Sequence, residues 1–255
     1  MSGADYHPDV AALQAYREQG FFVTPVIFPV EQMAALRSAC DTVWAEQRAA
    51  AATWDDPVER ALVQTRPFIC DLHQRHPAFL AFLRCPRFLA IARAMLGPDA
   101  DVCYNQTVIK PPSQEPNDFA WHQDTYYASL GPDSWNMAVM ADDSRTFQSW
   151  LAISDTDLSN GTLQVLPGSH RRGFPPYEQV RPDHGERRAL VDVGAAQAVE
   201  LQAGQMLVFS GMLLHASGSN RSGATRYVYQ FCTAQPGARP LGHSLPIMRG
   251  GQATR

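Results

Sequence analysis

The sequence predicts a mainly β protein, a barrel or sheet-on-sheet sandwich standing on a layer of N-terminal helices. Three observations predict it. About the first hundred residues are mostly helical in pattern. From Asp101 onward, short runs rich in β-branched and aromatic residues follow one another between Gly, Pro, Asn and Asp turns. No helical run of useful length interrupts them, which disfavours a parallel α/β sheet. A chain of 255 residues can bury one large core. Residues 1–255 are therefore read as a single domain: a helical support layer over about 1–100, a β core over about 101–235 and a C-terminal tail over 236–255.

In order along the chain, residues 9–19 have helical spacing and stop at Gly20, a natural C-cap. FFVTPVIF, residues 21–28, reads as a short strand. Pro29 opens a long Ala-rich helix that runs to residue 52. Two further helices are expected around 77–84 and 86–97, the second closed by Gly97-Pro98. Strands follow at 101–110, 119–127, 149–154, 161–168, 196–204, 205–211, 213–218 and 226–234. The polar, Pro-rich stretch 173–188 reads as a long surface loop, which could act as a lid carrying Arg172, Arg181 or His184.

Composition narrows the function. The net charge is −4, the basic residues are Arg apart from Lys110, and they form no patch suited to phosphate backbones, so nucleic acid is not an expected partner. The five Cys are scattered, with no Cys-x-x-Cys pair, which fits a reduced intracellular protein rather than a disulfide scaffold or thiolate zinc site. No basic-plus-apolar leader and no apolar run of membrane-spanning length is visible, so a cytosolic setting is expected.

The chemistry starts at WHQD, residues 121–124. In an extended strand His122 and Asp124 project to one side, and Trp121 and Gln123 to the other. A third ligand must come from elsewhere. Of the eight His, His7 lies near the terminus, His73 and His76 in the helical half, His184 in the polar loop and His243 near the C-terminus. His170 stands in a Pro-Gly turn, whereas His215 ends the apolar run QMLVFSGMLLH where a barrel mouth would be, and His215 is favoured. Two imidazoles and one carboxylate leave three metal positions open, as in the facial triad of non-haem Fe(II) oxygenases, although the same ligands also suit zinc.

Arg226 follows His215 after a Gly-, Ser- and Asn-rich turn and falls among aromatic neighbours. An inward Arg needs an anion, because a buried unpaired charge is costly. Its planar fork suits a carboxylate, and the alternative is a salt bridge to Asp or Glu at the barrel rim. Open metal positions beside a carboxylate clamp are what 2-oxoglutarate requires.

WHQD, NGTLQVLPGSHRRG and HASGSNRSGATRYVYQF, in this order, together with the opening YREQGFFVTPVIFPVEQMAALRSAC, resemble the phytanoyl-CoA dioxygenase-like family of Fe(II)/2-oxoglutarate oxygenases. The likeness covers roughly residues 12–234. It implies a double-stranded β-helix, or jelly-roll, core flanked by helices. It implies Fe(II) on His122, Asp124 and His215, and O₂ and 2-oxoglutarate as cosubstrates, the distal carboxylate held by Arg226 and Ser217. Gln106 and Trp150 match positions that line the cosubstrate pocket. Lys110 matches a family-typical lysine, and His170 belongs to a turn that is architectural. Asp124 stands where related halogenases have a small residue, so halogenation is disfavoured.

Hydroxylation of a small molecule of specialised metabolism is the default expectation, with release of succinate and CO₂. Desaturation, cyclisation and epimerisation use the same chemistry. Tyr126, Tyr127, Trp135, Arg145 and Lys110 are candidates for the substrate pocket. Nothing resembles a basic CoA-binding cluster. The rival classes are a cupin-like zinc enzyme and a non-catalytic ligand-binding jelly roll. The oligomeric state is not legible.

Overall fold

The structure is a computed structural model that describes residues 6–130, 135–181, 186–239 and 244–254. Asp9 accepts from the Ala12 amide and so starts helix α1 (Val10–Gln19), which Gly20 ends at φ 90°. Strand β1 (Phe21–Val23) is shorter than the expected 21–28. Past Thr24 the chain leaves the ladder at Pro25, and the Ile27 and Phe28 amides turn to the Gly204 carbonyl while their side chains enter the core.

Helices α2 (Val30–Ala51), α3 (Pro57–Thr65), α4 (Leu72–Arg75), α5 (Pro77–Leu83) and α6 (Pro86–Leu96) complete the helical layer. The sequence reading does not single out α3. Its start signal is nevertheless plain: Asp56 accepts from the Val58 and Glu59 amides, and Pro57 occupies the first turn. Strand β2 (Phe68–Cys70) then leads back to the sheet.

The β core holds β3 (Ala100–Val108), β4 (Phe119–His122), β5 (Thr146–Ala152), β6 (Leu163–Val165), β7 (Tyr177–Arg181) and β8 (Glu186–Ala189). It continues with β9 (Gln197–Val199), β10 (Met206–Phe209), β11 (His215–Ser217), β12 (Val228–Ala234), β13 (Leu245–Arg249) and β14 (Gln252–Ala253). Short helices α7 (Asp124–Leu130) and α8 (Met137–Met140) lie between β4 and β5. The larger, antiparallel sheet runs β1-β10-β5-β12-β3-β13-β14, with β2 also on β3; the smaller runs β4-β11-β6-β9. This is the jelly-roll arrangement, with helices on one flank.

Side-chain alternation places the cores. On β5, β10 and β12, Phe147, Leu151, Met206, Val208, Tyr229 and Phe231 face the helices, where they meet Phe79, Phe82 and Phe88. The intervening Trp150, Ala152, Leu207, Phe209 and Val228 pack between the sheets with Leu163 and Val165 of β6. Among the described residues no helix is long and apolar enough to cross a membrane.

Three sequence expectations are corrected. The 173–188 stretch is not a plain loop: β7 and β8 pair as a hairpin, Tyr177 opposite Ala189. The 236–255 stretch is not a tail, because β13 pairs with β3 and buries Ile247 and Met248. Finally, 119–127 is not one strand. It leaves the sheet after His122, where the Gln123 amide bonds the Tyr177 hydroxyl instead of a neighbouring strand, and α7 begins at Asp124.

Candidate functional site

The two histidines are brought together by strand register. His215 of β11 pairs directly with His122 of β4, and their rings lie 4.2 Å apart between centroids. Asp124 joins them from the first turn of α7 rather than from the strand, so its alignment with His122 comes from the turn at Gln123. That turn is anchored by the Gln123 side chain, which is fully buried and donates to the Met212 and Gly173 carbonyls. Asp124 Oδ1 is 3.6 Å from each Nε2, and one ligand atom from each of the three residues lies within 4.8 Å of the others.

Each imidazole is fixed from behind. His122 Nδ1 donates to the Ala120 carbonyl at 2.7 Å and His215 Nδ1 to the Leu213 carbonyl at 2.9 Å. That choice of proton leaves both Nε2 lone pairs facing Asp124, the state a metal ligand needs. Burial would raise the Asp124 pKa, but in the metal-free site the charge of a protonated His215, with His122 beside it, holds it well below the usual carboxylate range. Burial would lower the His215 pKa, but Asp124 raises it. The donor set therefore fits a divalent cation: two neutral-capable imidazoles and an ionised carboxylate, converging on one point.

The outer oxygen of Asp124 is held by residues the sequence reading missed. Gln230 Nε2 donates to Oδ2 at 3.0 Å, and Gln106 donates to Gln230 at 3.2 Å. The Tyr104 hydroxyl donates to Gln148 at 2.7 Å and lies 3.4 Å from Oδ2. Tyr104 and Gln106 alternate on β3, and Gln230 is the register partner of Gln106 on β12. An inward-facing polar series on two adjacent core strands was the available signal.

Arg226 is 1 % exposed, and no carboxylate pairs with it among the described residues; the rim salt bridge is not what the structure contains. Its guanidinium donates to the Gly161 carbonyl and, at 3.5 Å, to that of Val108, while Nε has no partner. Gly161, at φ 76°, sits so close to the Gly218 backbone that no Cβ would fit, and this contact brings its carbonyl to Arg226. Trp150 packs its ring 5.2 Å below the guanidinium. Burial lowers the Arg226 pKa to about 9, the signature of a cation without an anion.

Lys110 was expected near substrate, but it lies behind the site wall. It is fully buried, exchanges two backbone hydrogen bonds with Arg226, and donates from Nζ to Ser217 Oγ at 2.6 Å and to the Gly218 carbonyl at 2.6 Å. Burial and the charge of Arg226 lower its pKa.

The triad, Gln106, Trp150, Ser217 and Arg226 all line one cavity of about 620 Å³. Tyr127 and Trp135 line it as well. Tyr126 and Arg145 do not: Tyr126 stacks flat on Tyr177 at 3.6 Å, and Arg145 Nε turns to Gln235. Arg172 is exposed on a 3-10 turn away from the cavity. The Arg181 side chain, His184 and His243 lie outside the described residues. The hairpin instead contributes Glu186, which pairs with Arg66 at 3.3 Å. Arg66, Trp54, Leu62, Phe68 and Phe119 of the cavity wall were not foreseen. His170 packs against α1 through the Arg17 carbonyl.

Comparison with known proteins follows the same lines. The family model described as Phytanoyl-CoA dioxygenase (PhyH) matches residues 16–228. The ectoine dioxygenase of Bordetella parapertussis is 24 % identical over 229 residues, covering 82 % of this chain and 70 % of that protein. The peroxisomal phytanoyl-CoA dioxygenase of Rattus norvegicus is 22 % identical over 174 residues, covering 65 % of this chain and 47 % of that protein. Among solved structures, the apo form of the non-heme monooxygenase ThoJ superposes with a TM-score of 0.68 at 24 % identity, over 95 % of this chain and 85 % of its own. The non-heme alpha-ketoglutarate-dependent carbocyclase SnoK of nogalamycin biosynthesis gives 0.66 at 18 % identity, over 98 % and 90 %.

Proposed function

Because this chain belongs to the phytanoyl-CoA dioxygenase family, we propose that His122, Asp124 and His215 hold one Fe(II), and that Arg226 binds the distal carboxylate of 2-oxoglutarate. The protein is an Fe(II)/2-oxoglutarate-dependent dioxygenase acting on a small molecule. Hydroxylation of a C–H bond, within specialised metabolism and in the cytosol, is the reaction and setting we assign to it. The cytosolic setting is in keeping with five free thiols.

The observation that carries this reading is the pairing, in one cavity, of a three-ligand cluster with a buried guanidinium that no carboxylate neutralises among the described residues. Fe(II), bound there with 2-oxoglutarate and O₂, supplies the oxidising power, and succinate and CO₂ are the co-products. The chain's own residues orient and enclose. Ala120 and Leu213 carbonyls fix both imidazole tautomers. Lys110 donates to Ser217 Oγ, which leaves the Ser217 proton to be given to a carboxylate oxygen beside Arg226. Gln230 occupies Oδ2 of Asp124 and leaves Oδ1 to the metal.

Anaerobic addition of Fe(II) and 2-oxoglutarate tests the reading. A weak visible charge-transfer band is expected, diminished in Arg226→Ala. A folded, iron-loaded protein with no band on adding 2-oxoglutarate would sink it.

A further inference from the structure

The outer part of the cavity differs in chemistry from the inner part that the metal and cosubstrate reading occupies. Its walls come from α3, β2, β4, α7 and the segments after α2 and before α8, and are aromatic or aliphatic: Trp54, Leu62, Phe68, Phe119, Tyr127 and Trp135. The polar tips of its tyrosines are already engaged. Tyr127 Oη donates to the Arg187 carbonyl at 3.1 Å and accepts from the Arg187 amide at 2.9 Å, while Tyr104 Oη donates to Gln148. These residues therefore present ring faces rather than hydrogen-bonding groups.

The charged residues of the outer wall cancel or are acidic. Arg66 is committed three ways: to Glu186 at 3.3 Å, to the Asp118 carbonyl at 2.6 Å and over the Phe119 ring at 4.3 Å. Glu186 in turn accepts from the Ala120 amide at 2.9 Å. Glu59, on the exposed side of α3, is the other charged residue of that wall among the described residues. Among the described residues that line the outer part, no cation is left over for a phosphate, sulfate or carboxylate. A charged substrate group entering here would lose its hydration without gaining a partner, which is a strong selection against it.

Shape adds a second constraint. Tyr104, Gln106 and Val108, successive inward positions of β3, all line the cavity, so it extends roughly 13 Å along that strand. Two aromatic pairs stand in its wall: Tyr104 with Trp135, edge-on at 6.1 Å, and Phe68 with Phe119, tilted at 6.4 Å between centroids. A cavity of about 620 Å³ accommodates a drug-sized ligand beside a small cosubstrate.

We infer that the substrate is an uncharged, ring-containing molecule, and that the site discriminates against acyl-CoA thioesters and against zwitterions such as ectoine. This deepens the oxygenase reading and rests on it only in assigning the inner end to 2-oxoglutarate.

The test is calorimetric titration of metal-free protein with 2-naphthol, naphthalene-2-sulfonate, acetyl-CoA and ectoine. It is run on the wild type and on Arg226→Leu, so that sulfonate held at the inner end is recognised by its loss in the variant. In Arg226→Leu, 2-naphthol should bind at least 10-fold more tightly than the sulfonate, with no heat from acetyl-CoA or ectoine. Trp135→Ala should weaken 2-naphthol several-fold, and Leu62→Lys should narrow or invert the naphthol-to-sulfonate ratio. Equal or tighter binding of the sulfonate, binding of acetyl-CoA or ectoine, or absence of 2-naphthol binding overturns the inference. Because no metal is present, these outcomes are separate from the charge-transfer result.

Discussion

The two ends of the cavity are built on opposite principles. At the inner end, every polar atom of His122, Asp124 and His215 that faces away from the cluster has a protein partner, and Arg226 and Lys110 are buried with no carboxylate paired to them among the described residues. At the outer end, Arg66 and Glu186 pair with each other, the tyrosine hydroxyls are satisfied, and apart from the exposed Glu59 what remains is ring and aliphatic surface. The inner end is an incomplete electrostatic structure that a metal ion and an anion would complete. The outer end is already complete and offers only shape and apolar area. Binding at the first should respond to charge and pH, and binding at the second to surface.

The largest effect tests the inner end directly. Asp124→Ala removes the one anionic ligand, and leaves two imidazoles that cannot by themselves hold a hard divalent cation well. Metal affinity should fall by more than about 100-fold, beyond what loss of an outer-shell partner causes, and the charge-transfer band and turnover should vanish together. Retention of stoichiometric iron in dialysed Asp124→Ala would show that the triad is not the metal site. Outer-wall substitutions such as Phe68→Ala should leave that iron content unchanged, and if they do not, the two ends are not separate.

Next in size is Arg226→Leu. If an anion completes this guanidinium, its loss should weaken 2-oxoglutarate by roughly 2–5 kcal/mol, that is about 30-fold or more. The same substitution should raise the melting temperature of the cosubstrate-free protein, because it removes an unpaired buried charge and its repulsion with Lys110. A variant that loses 2-oxoglutarate and also melts lower would mean that the guanidinium is structural, held for its bonds to Gly161 and Val108.

The comparison also explains what could be read from the sequence. Metal chemistry demands particular side chains, so His122, Asp124 and His215 stand out even though the expected strand through Asp124 is really a strand end, a turn and a helix. Arg226 stands out because an Arg among aromatic residues needs a reason. The outer end has no such demand. Leu62, Phe68 and Phe119 look like core residues, and they join the foreseen Tyr127 and Trp135 only through the packing of α3, β2 and β4 against α7 and the segment before α8. Tyr126 and Tyr127 are neighbours in sequence, yet one stacks on Tyr177 and the other faces the cavity. The fold class was legible from the helical pattern of the first hundred residues and the turn-punctuated β runs after Asp101, and its jelly-roll form from the family resemblance. The pairing of β13 with β3 and of β7 with β8 was not, because Pro-rich and Gly-rich flanks mask short edge strands.

A third, smaller effect concerns pH. Asp124 raises the pKa of His215 above its ordinary 6.5 in the metal-free protein. A raised pKa contributes stability that is fully present below 6.5 and is lost as pH rises through the folded value. Metal binding needs the neutral imidazole, so it opposes this: affinity should fall as pH drops through the same folded value. Thermal melts of metal-free wild type and Asp124→Asn across that window should converge at high pH and separate at low pH. The 2-naphthol affinity should stay flat across it, and a parallel drift would mean that the ends are electrostatically coupled.

The smallest expected effect lies at the boundary. Tyr104 belongs to both ends: its ring lines the outer cavity against Trp135, and its hydroxyl reaches Gln148 and the vicinity of Asp124 Oδ2. Tyr104→Phe keeps the ring and removes the hydroxyl. Gln230 still donates to Oδ2, so the carboxylate keeps one anchor and metal affinity should weaken by no more than about 10-fold, the low end for outer-shell partners. Affinity for 2-naphthol should not change. In Gln230→Ala the shorter hydrogen bond to Oδ2 is the one lost, and the metal effect should exceed that of Tyr104→Phe while the naphthol affinity again holds. If Tyr104→Phe instead weakens the naphthol and spares the metal, the hydroxyl serves the substrate, and the division between a charged inner end and a neutral outer end must be moved inward past β3.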